Sequence, residues 1–166
     1  MKTKLALYLA LFVAAGLFGC STTKNHPPGF PVRYYNAEYD LTFYFPESWK
    51  GYSVLVDSWD ANQPDVMTQE HGPIIVLRHP LWRTNDLYQD IPIMVFTHKQ
   101  WAEQHEGKFF PFAGGCLFEL WHNTHYVFGV YSRYRAYDEV KCWQEAEDII
   151  AANQMIQPFS RPLFDQ

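Results

Sequence analysis

Two lysines and an uninterrupted apolar run open the chain, and they decide how much of it is available to fold. Lys2 and Lys4 precede Leu5 to Phe18, fourteen residues without a charge. As a helix that run reaches only about 21 Å, against roughly 30 Å of bilayer hydrocarbon. A short apolar segment behind a basic tip has the form of a secretory signal. Residues 1–19 are therefore expected to be a leader, not part of the folded body. No run elsewhere approaches about 20 apolar residues, so no ordinary membrane-spanning helix is expected.

The leader ends in Leu17-Phe18-Gly19-Cys20, which resembles a bacterial lipobox, with Phe18 where a smaller residue is usual. The resemblance implies that Cys20 takes a diacylglyceryl thioether, becomes the first mature residue and is then N-acylated. At about 0.8 kcal/mol per buried CH₂, two or three acyl chains such as palmitate anchor far more firmly than one. The alternative is an ordinary signal peptide with a chance cysteine. Ser21 stands where an aspartate would, by the family rule, favour the inner membrane. The expected location is thus the outer membrane, facing the periplasm. Loss of Lys2 and Lys4 takes the 13 basic side chains to 11 against 18 acidic ones, a formal −7. Such a body is repelled by anionic lipid and by nucleic acid, which excludes an electrostatic nucleic-acid binder. Residues 20–38, with Pro27, Pro28, Gly29 and Pro31, read as the lipidated cysteine and an extended linker.

Residues 39–157 read as a single α+β domain and 158–166 as a tail. Leu41, Phe43 and Phe45 alternate with Thr42 and Tyr44, the period of a strand. Pro46 stops it, and a second alternating strand follows from Tyr52 to Val56. Residues 57–72 read as a polar loop. Ile74-Ile75-Val76-Leu77 reads as a strand covered on both faces, and Ile91 to Phe96 as another, placed at an edge or starting late because Pro92 cannot donate to a ladder. Thr97 and Gln100 form a capping box, Phe96 and Trp101 a hydrophobic staple, and Gly107 a stop for a short helix. Residues 117–122 and 126–132 read as a hairpin about Asn123-Thr124. Asp138-Glu139 would open a last helix whose apolar stripe is Val140, Trp143, Ala146 and Ile150, running to about Met155. The order ββββ-α-ββ-α implies one mostly antiparallel sheet of about six strands, with the long C-terminal helix on one face.

Phe45-Pro46-Glu47-Ser48-Trp49 after an alternating strand, with the closing amphipathic helix, resembles the PsbP-like α/β fold. That likeness implies, by analogy, association with a larger assembly. Phe45-Pro46-x-x-Trp49-x-Gly51-Tyr52, Arg78-His79-Pro80-x-Trp82 and Asp90-Ile91-Pro92-Ile93 are similar to motifs of an uncharacterised family of small bacterial exported proteins. The similarity covers about 35–155 and implies no catalytic residue.

Candidate sites are few. With Cys20 acylated, Cys116 and Cys142 are an even pair in an oxidising compartment. A bridge over about 26 residues would contribute roughly 3 kcal/mol; two separate buried thiols are the alternative. His122 and His125 flank the hairpin turn and could share a metal ion if Glu119, His79 or His98 supplied further ligands, or could merely be exposed. The loop bearing Arg78, His79, Trp82, Arg83 and Tyr88 has the composition of a recognition surface, or else folds back to close the core with Trp82 and Tyr88. No nucleophile elbow, zinc-protease helix, Walker loop, dinucleotide fingerprint or Cys-x-x-Cys occurs. The expected function is a lipid-anchored periplasmic binding or assembly module without catalysis or cofactor. Its expected partners are the membrane, through Cys20, and an envelope protein or ligand. A small metal-dependent enzyme using His122 and His125, or a structural envelope lipoprotein, are the alternatives.

Overall fold

Strand alternation in the sequence becomes two antiparallel sheets in a computed structural model of the chain, which describes residues 27–61, 70–111, 117–131 and 140–156. The leader, Cys20, Cys116, the Asp138-Glu139 pair and the tail lie outside these residues. Seven strands are described: β1 (Val32–Asn36), β2 (Leu41–Phe45), β3 (Ser53–Asp60), β4 (His71–Arg78), β5 (Ile91–Thr97), β6 (Leu117–His122) and β7 (Tyr126–Tyr131). A 3-10 turn, Glu47–Trp49, follows β2; helix α1 is His98–His105 and α2 is Trp143–Ile156. Five strands form the main sheet in the order β3-β4-β5-β7-β6, and β1-β2 form a separate two-stranded sheet. Every pairing between strands is antiparallel. The fold is α+β and mostly antiparallel, as expected, but the single sheet of about six strands is corrected to five plus two.

The main sheet is buried on both faces because its central strands alternate two sets of apolar residues. Ile75, Leu77, Ile91, Ile93, Val95, Phe128 and Val130 join one core with Leu41, Phe43 and Phe45 of β2 and Ala146, Ile149 and Ile150 of α2. Ile74, Met94, Phe96 and Val127 face the other way, against Trp59, Trp101 of α1 and Phe109. A lone two-stranded sheet is marginal in water. Here Leu41, Phe43 and Phe45 are fully buried; at about 1.5–3 kcal/mol each, that burial is what holds β1-β2 to the body.

Several boundaries differ from the sequence expectation, each for a packing reason. The extended linker expected over 20–38 gives way to β1, because Val32 and Tyr34 face the core while β1 pairs Tyr34 with Phe43. The polar loop expected over 57–72 is shorter. β3 runs to Asp60 and β4 starts at His71, since Trp59 lies buried over Gly72 and beside Phe96 at 4.6 Å. β5 is central and not an edge strand. Pro92 falls where β5 pairs only with β4, β7 joining from Met94 onward, so the missing donor costs the β7 ladder nothing.

Helix α1 forms as expected. Thr97 and Gln100 make the reciprocal capping box, Phe96 meets Trp101 at 5.3 Å, and Gly107 takes φ +75°. Helix α2 starts at Trp143, later than its apolar stripe suggested. Lys141 is instead drawn into backbone bonds with Leu87 and Gln89, and Cys142 turns the chain at φ +59°. Near its C-terminal end, α2 uses a buried amide in place of a strand. Asn153, 1% exposed, accepts from the Tyr44 N–H and donates to the Tyr44 carbonyl, both at 2.8 Å. That pair of bonds closes the outer edge of β2 and seats the helix on it.

Candidate functional site

Of the three sequence segments that carried the family resemblance, the first lies well before the other two in the chain, and all meet at one end of the domain. Phe45 stacks on Trp49 at 5.0 Å, an arrangement allowed by the 3-10 turn after Pro46, and Gly51 leaves that turn at φ +87°. A Cβ at Gly51 would touch Pro80 at 3.9 Å, so this turn and the loop after β4 are in contact. The Trp49 indole meets the His79 ring edge-on at 5.1 Å and 85°. Arg78, at the end of β4, grips Asp90, just before β5, with Nε at 3.1 and 3.2 Å and Nη2 at 2.7 Å. The two-pronged geometry, on side chains only about a quarter exposed, makes this the firmest ion pair of the region. The same guanidinium lies over the Trp82 ring at 3.8 Å.

His79 sits at the centre, 4% exposed. Its ring is stacked on Tyr88 at 4.6 Å and 9°. Its Nδ1 accepts the Leu81 N–H at 3.1 Å, which leaves the proton of a neutral ring on Nε2, facing Glu145 Oε2 at 4.0 Å. Glu145, in the first turn of α2, is held through its other oxygen by the Ser48 hydroxyl at 2.6 Å. Burial lowers the His79 pKa, and the nearby Glu145 and Asp90 carboxylates only partly offset this. The serine, carboxylate and imidazole stand in the wrong order for nucleophile activation, since the carboxylate lies between hydroxyl and ring. The group is a brace joining the 3-10 turn, the loop and α2.

Beyond His79 the loop doubles back on itself. Arg83 and Asp86 exchange both backbone hydrogen bonds at 3.0 Å, and Arg83 Nη1 returns to the carbonyls of Pro80 and Trp82. Lys141 clamps the far side, with Nζ 2.6 Å from Asp86 and 5.6 Å from the centre of the Tyr88 ring. The five residues singled out from sequence thus divide. His79 and Tyr88 pack inward, Arg78 and Trp82 form a half-buried pair, and Arg83 remains at the surface. The outward surface is completed by Leu81, 54% exposed, and Leu87, 37% exposed. Sequence reasoning missed Asp90, Glu145, Ser48 and Lys141 as partners of this loop. Only Asp90 carried a signal, as part of one of the three motifs.

The hairpin histidines are arranged differently. A bulge between Glu119 and Trp121 inserts Leu120 as an extra residue in β6. The bulge puts Glu119 and His122 on one face, where His122 Nδ1 donates to Glu119 at 2.5 Å and its ring approaches His98 at 5.8 Å. His98 Nε2 is engaged by the Asn123 carbonyl at 2.8 Å, and the His125 ring lies beside Tyr126. Among the described residues no three His, Cys, Asp or Glu side chains are grouped to hold a metal ion. Cys142 is half-buried, and burial, followed by the nearby Glu145, raises its pKa, the opposite of an activated nucleophile. Its suggested bridge to Cys116 involves a residue outside those described.

Fold and site together define a small α+β domain with an aromatic-braced loop at one end of a five-stranded sheet. No family model, curated protein or solved structure matches the chain. Among the described residues no helix is long and apolar enough to cross a membrane.

Proposed function

We propose that this protein is a lipid-anchored module of the bacterial cell envelope that works by contact, binding an envelope protein or ligand through the loop 78–90. One observation carries the reading. A buried imidazole, a two-pronged ion pair and contacts from the 3-10 turn, Lys141 and α2 are all spent on holding this loop in place, while Leu81, Arg83 and Leu87 stay outward. A surface ordered before binding loses less entropy when it binds, and arginine is among the side chains that concentrate binding energy at contact centres. Acylation at Cys20 would place this surface in the periplasm, held to the outer membrane by a short extended linker. Kinship with the small exported proteins, and a PsbP-like arrangement of the closing helix, belong to the same proposal. They are supported by the motifs that converge on the loop.

Two experiments test it. Palmitate labelling should mark the wild-type chain and not Cys20→Ala. A photoreactive residue at Leu81 should then capture a discrete partner in intact cells, and one at Thr42, on the β1-β2 sheet, should not. If Cys20→Ala is labelled equally, the anchor is wrong. If Leu81 captures nothing while Arg83→Glu still impairs the cell, contact through this loop is refuted.

A further inference from the structure

The exposed edges of the two sheets are treated unequally. The outer edge of β2 is closed by the Asn153 amide. The edge of β6 is bent by the bulge at Leu120, and its Glu119 carbonyl is capped by Gln154 of α2 at 3.0 Å. The Arg33 carbonyl of β1 accepts from the Tyr52 hydroxyl. These are the devices by which proteins keep open strands from pairing with other chains. β3, the other terminal strand of the main sheet, has none of them along residues 53–57. It contains no proline and no bulge in its pairing with β4. Among the described residues no strand pairs with its outer side. Its exposed residues include a run of three apolar ones: Val54 at 40%, Leu55 at 39% and Val56 at 78%.

Backbone direction specifies how such an edge can pair. The Ala61 N–H bonds the Glu70 carbonyl at 2.7 Å, continuing the β3-β4 register, so odd-numbered residues of β3 turn their peptide groups toward β4. Even-numbered residues turn theirs outward. Ser58 agrees, since its N–H finds no strand and is taken by the Asp57 side chain at 2.8 Å. Val54 and Val56 therefore present the open N–H and C=O groups of the edge.

We propose that the β3 edge pairs antiparallel with the same edge of a second copy of this chain, joining two five-stranded sheets across a twofold axis at Leu55. In that register Val54 of each copy exchanges backbone bonds with Val56 of the other, and Leu55 lies opposite Leu55. Asp57 lies opposite Ser53, and Asp60 falls toward the end of the strand next to Lys50. The symmetric registers centred further toward the C-terminal end of β3 are worse. One sets Leu55 opposite Asp57 in both halves, and the next sets Asp57 opposite Asp57, a like-charge pair. An isologous contact needs a surface that complements itself, and the register centred at Leu55 is the one that pairs all five residues of Ser53-Val54-Leu55-Val56-Asp57 with one another. This inference uses a different strand from the loop 78–90 and does not depend on lipidation.

The test uses the full-length protein in detergent micelles. In a non-hydrogen-bonded antiparallel pair the Cα atoms lie about 4.5 Å apart, within disulfide reach. Leu55→Cys should give a covalent dimer under mild oxidation, several-fold above both Asp57→Cys and the unsubstituted chain, whose own three cysteines set the background. Val56→Lys should convert the dimer to monomer that melts at the midpoint of wild type diluted to monomer, because Val56 is mostly exposed and a lysine there opposes edge pairing. A wild-type chain that is monomeric at every concentration overturns the proposal. So does Leu55→Cys crosslinking no better than Asp57→Cys, or a dimer that survives Val56→Lys. Capture of a different protein at Leu55→Cys also overturns it, and assigns the edge to a foreign strand.

Discussion

Replacing Asn153 by leucine, nearly the same volume without the amide, tests how the closing helix is held. The substitution removes three hydrogen bonds of 2.8 Å, to the Tyr44 N–H, the Tyr44 carbonyl and the Ile149 carbonyl. The Ile149 bond lies within the helix and matters less. The Tyr44 donor and acceptor are then left facing an apolar side chain, and an unsatisfied group of this kind costs about 1–3 kcal/mol. Because Tyr44 is only half-buried and water can partly replace the amide, the sum is placed at about 2–4 kcal/mol. For a domain of this size that corresponds to a fall in melting temperature of roughly 6–20 °C. Urea unfolding followed by tryptophan fluorescence should show a lower midpoint at an unchanged slope. Asn153→Asp provides the internal control. Its carboxylate still accepts from the Tyr44 N–H, but sets oxygen against both carbonyls, so it should be at least as destabilising at neutral pH and recover partly in acid. If Asn153→Leu stays within about 0.5 kcal/mol of wild type, the range of ordinary surface changes, the amide is not what seats α2 on β2.

Three further outcomes follow from the site and the core. His79 is buried with a lowered pKa, so below the ordinary histidine value of about 6.5 the unfolded chain binds a proton that the folded chain refuses. Stability should therefore fall as pH drops from about 7 toward 5, and a His79→Gln variant should show a flatter profile over that window in denaturation curves. Gly72→Ala would place a Cβ 2.6 Å from the Trp59 indole, itself tied to the Val95 carbonyl at 3.1 Å, and should cost about 1–3 kcal/mol by overpacking, seen as a lowered thermal midpoint. Arg78→Lys keeps the charge but loses the two-pronged grip on Asp90 and the flat contact with Trp82. Trypsin should then cut after Arg83 faster than in wild type, with little change in overall melting; an unchanged cutting rate would show that the ion pair does not order the loop.

Local chemistry was legible in the chain itself. The Thr97–Gln100 box, the Phe96–Trp101 staple and the Gly107 stop are defined by residues within a few positions of one another, so α1 appears where they place it. The strand from Leu41 follows from alternation, that containing Ile74–Leu77 from a continuous apolar run, and that from Tyr126 from its place in a hairpin. What failed to read locally depended on partners distant in sequence. β1 looked like linker because its pattern is short and preceded by prolines; only β2 beneath it makes Tyr34 a core residue. Pro92 looked like an edge signal because nothing near it shows that β7 begins pairing two residues later.

The candidate site divides along the same line. Composition alone marked the loop 78–90 as unusual, since aromatic and arginine side chains declare their chemistry wherever they stand. Which of them face solvent was decided by Asp90 at the loop's own end and by Trp49, Lys141 and Glu145, brought up from two other parts of the chain. Likewise, alternation showed that residues 52–56 form a strand but not that its outer side is open, because an edge is defined by the absence of a neighbour in the sheet order. Periodicity and capping are properties of adjacent residues and are written in the sequence. Burial, pairing and exposure are relations between distant ones, and they exist only once the sheets and α2 have closed.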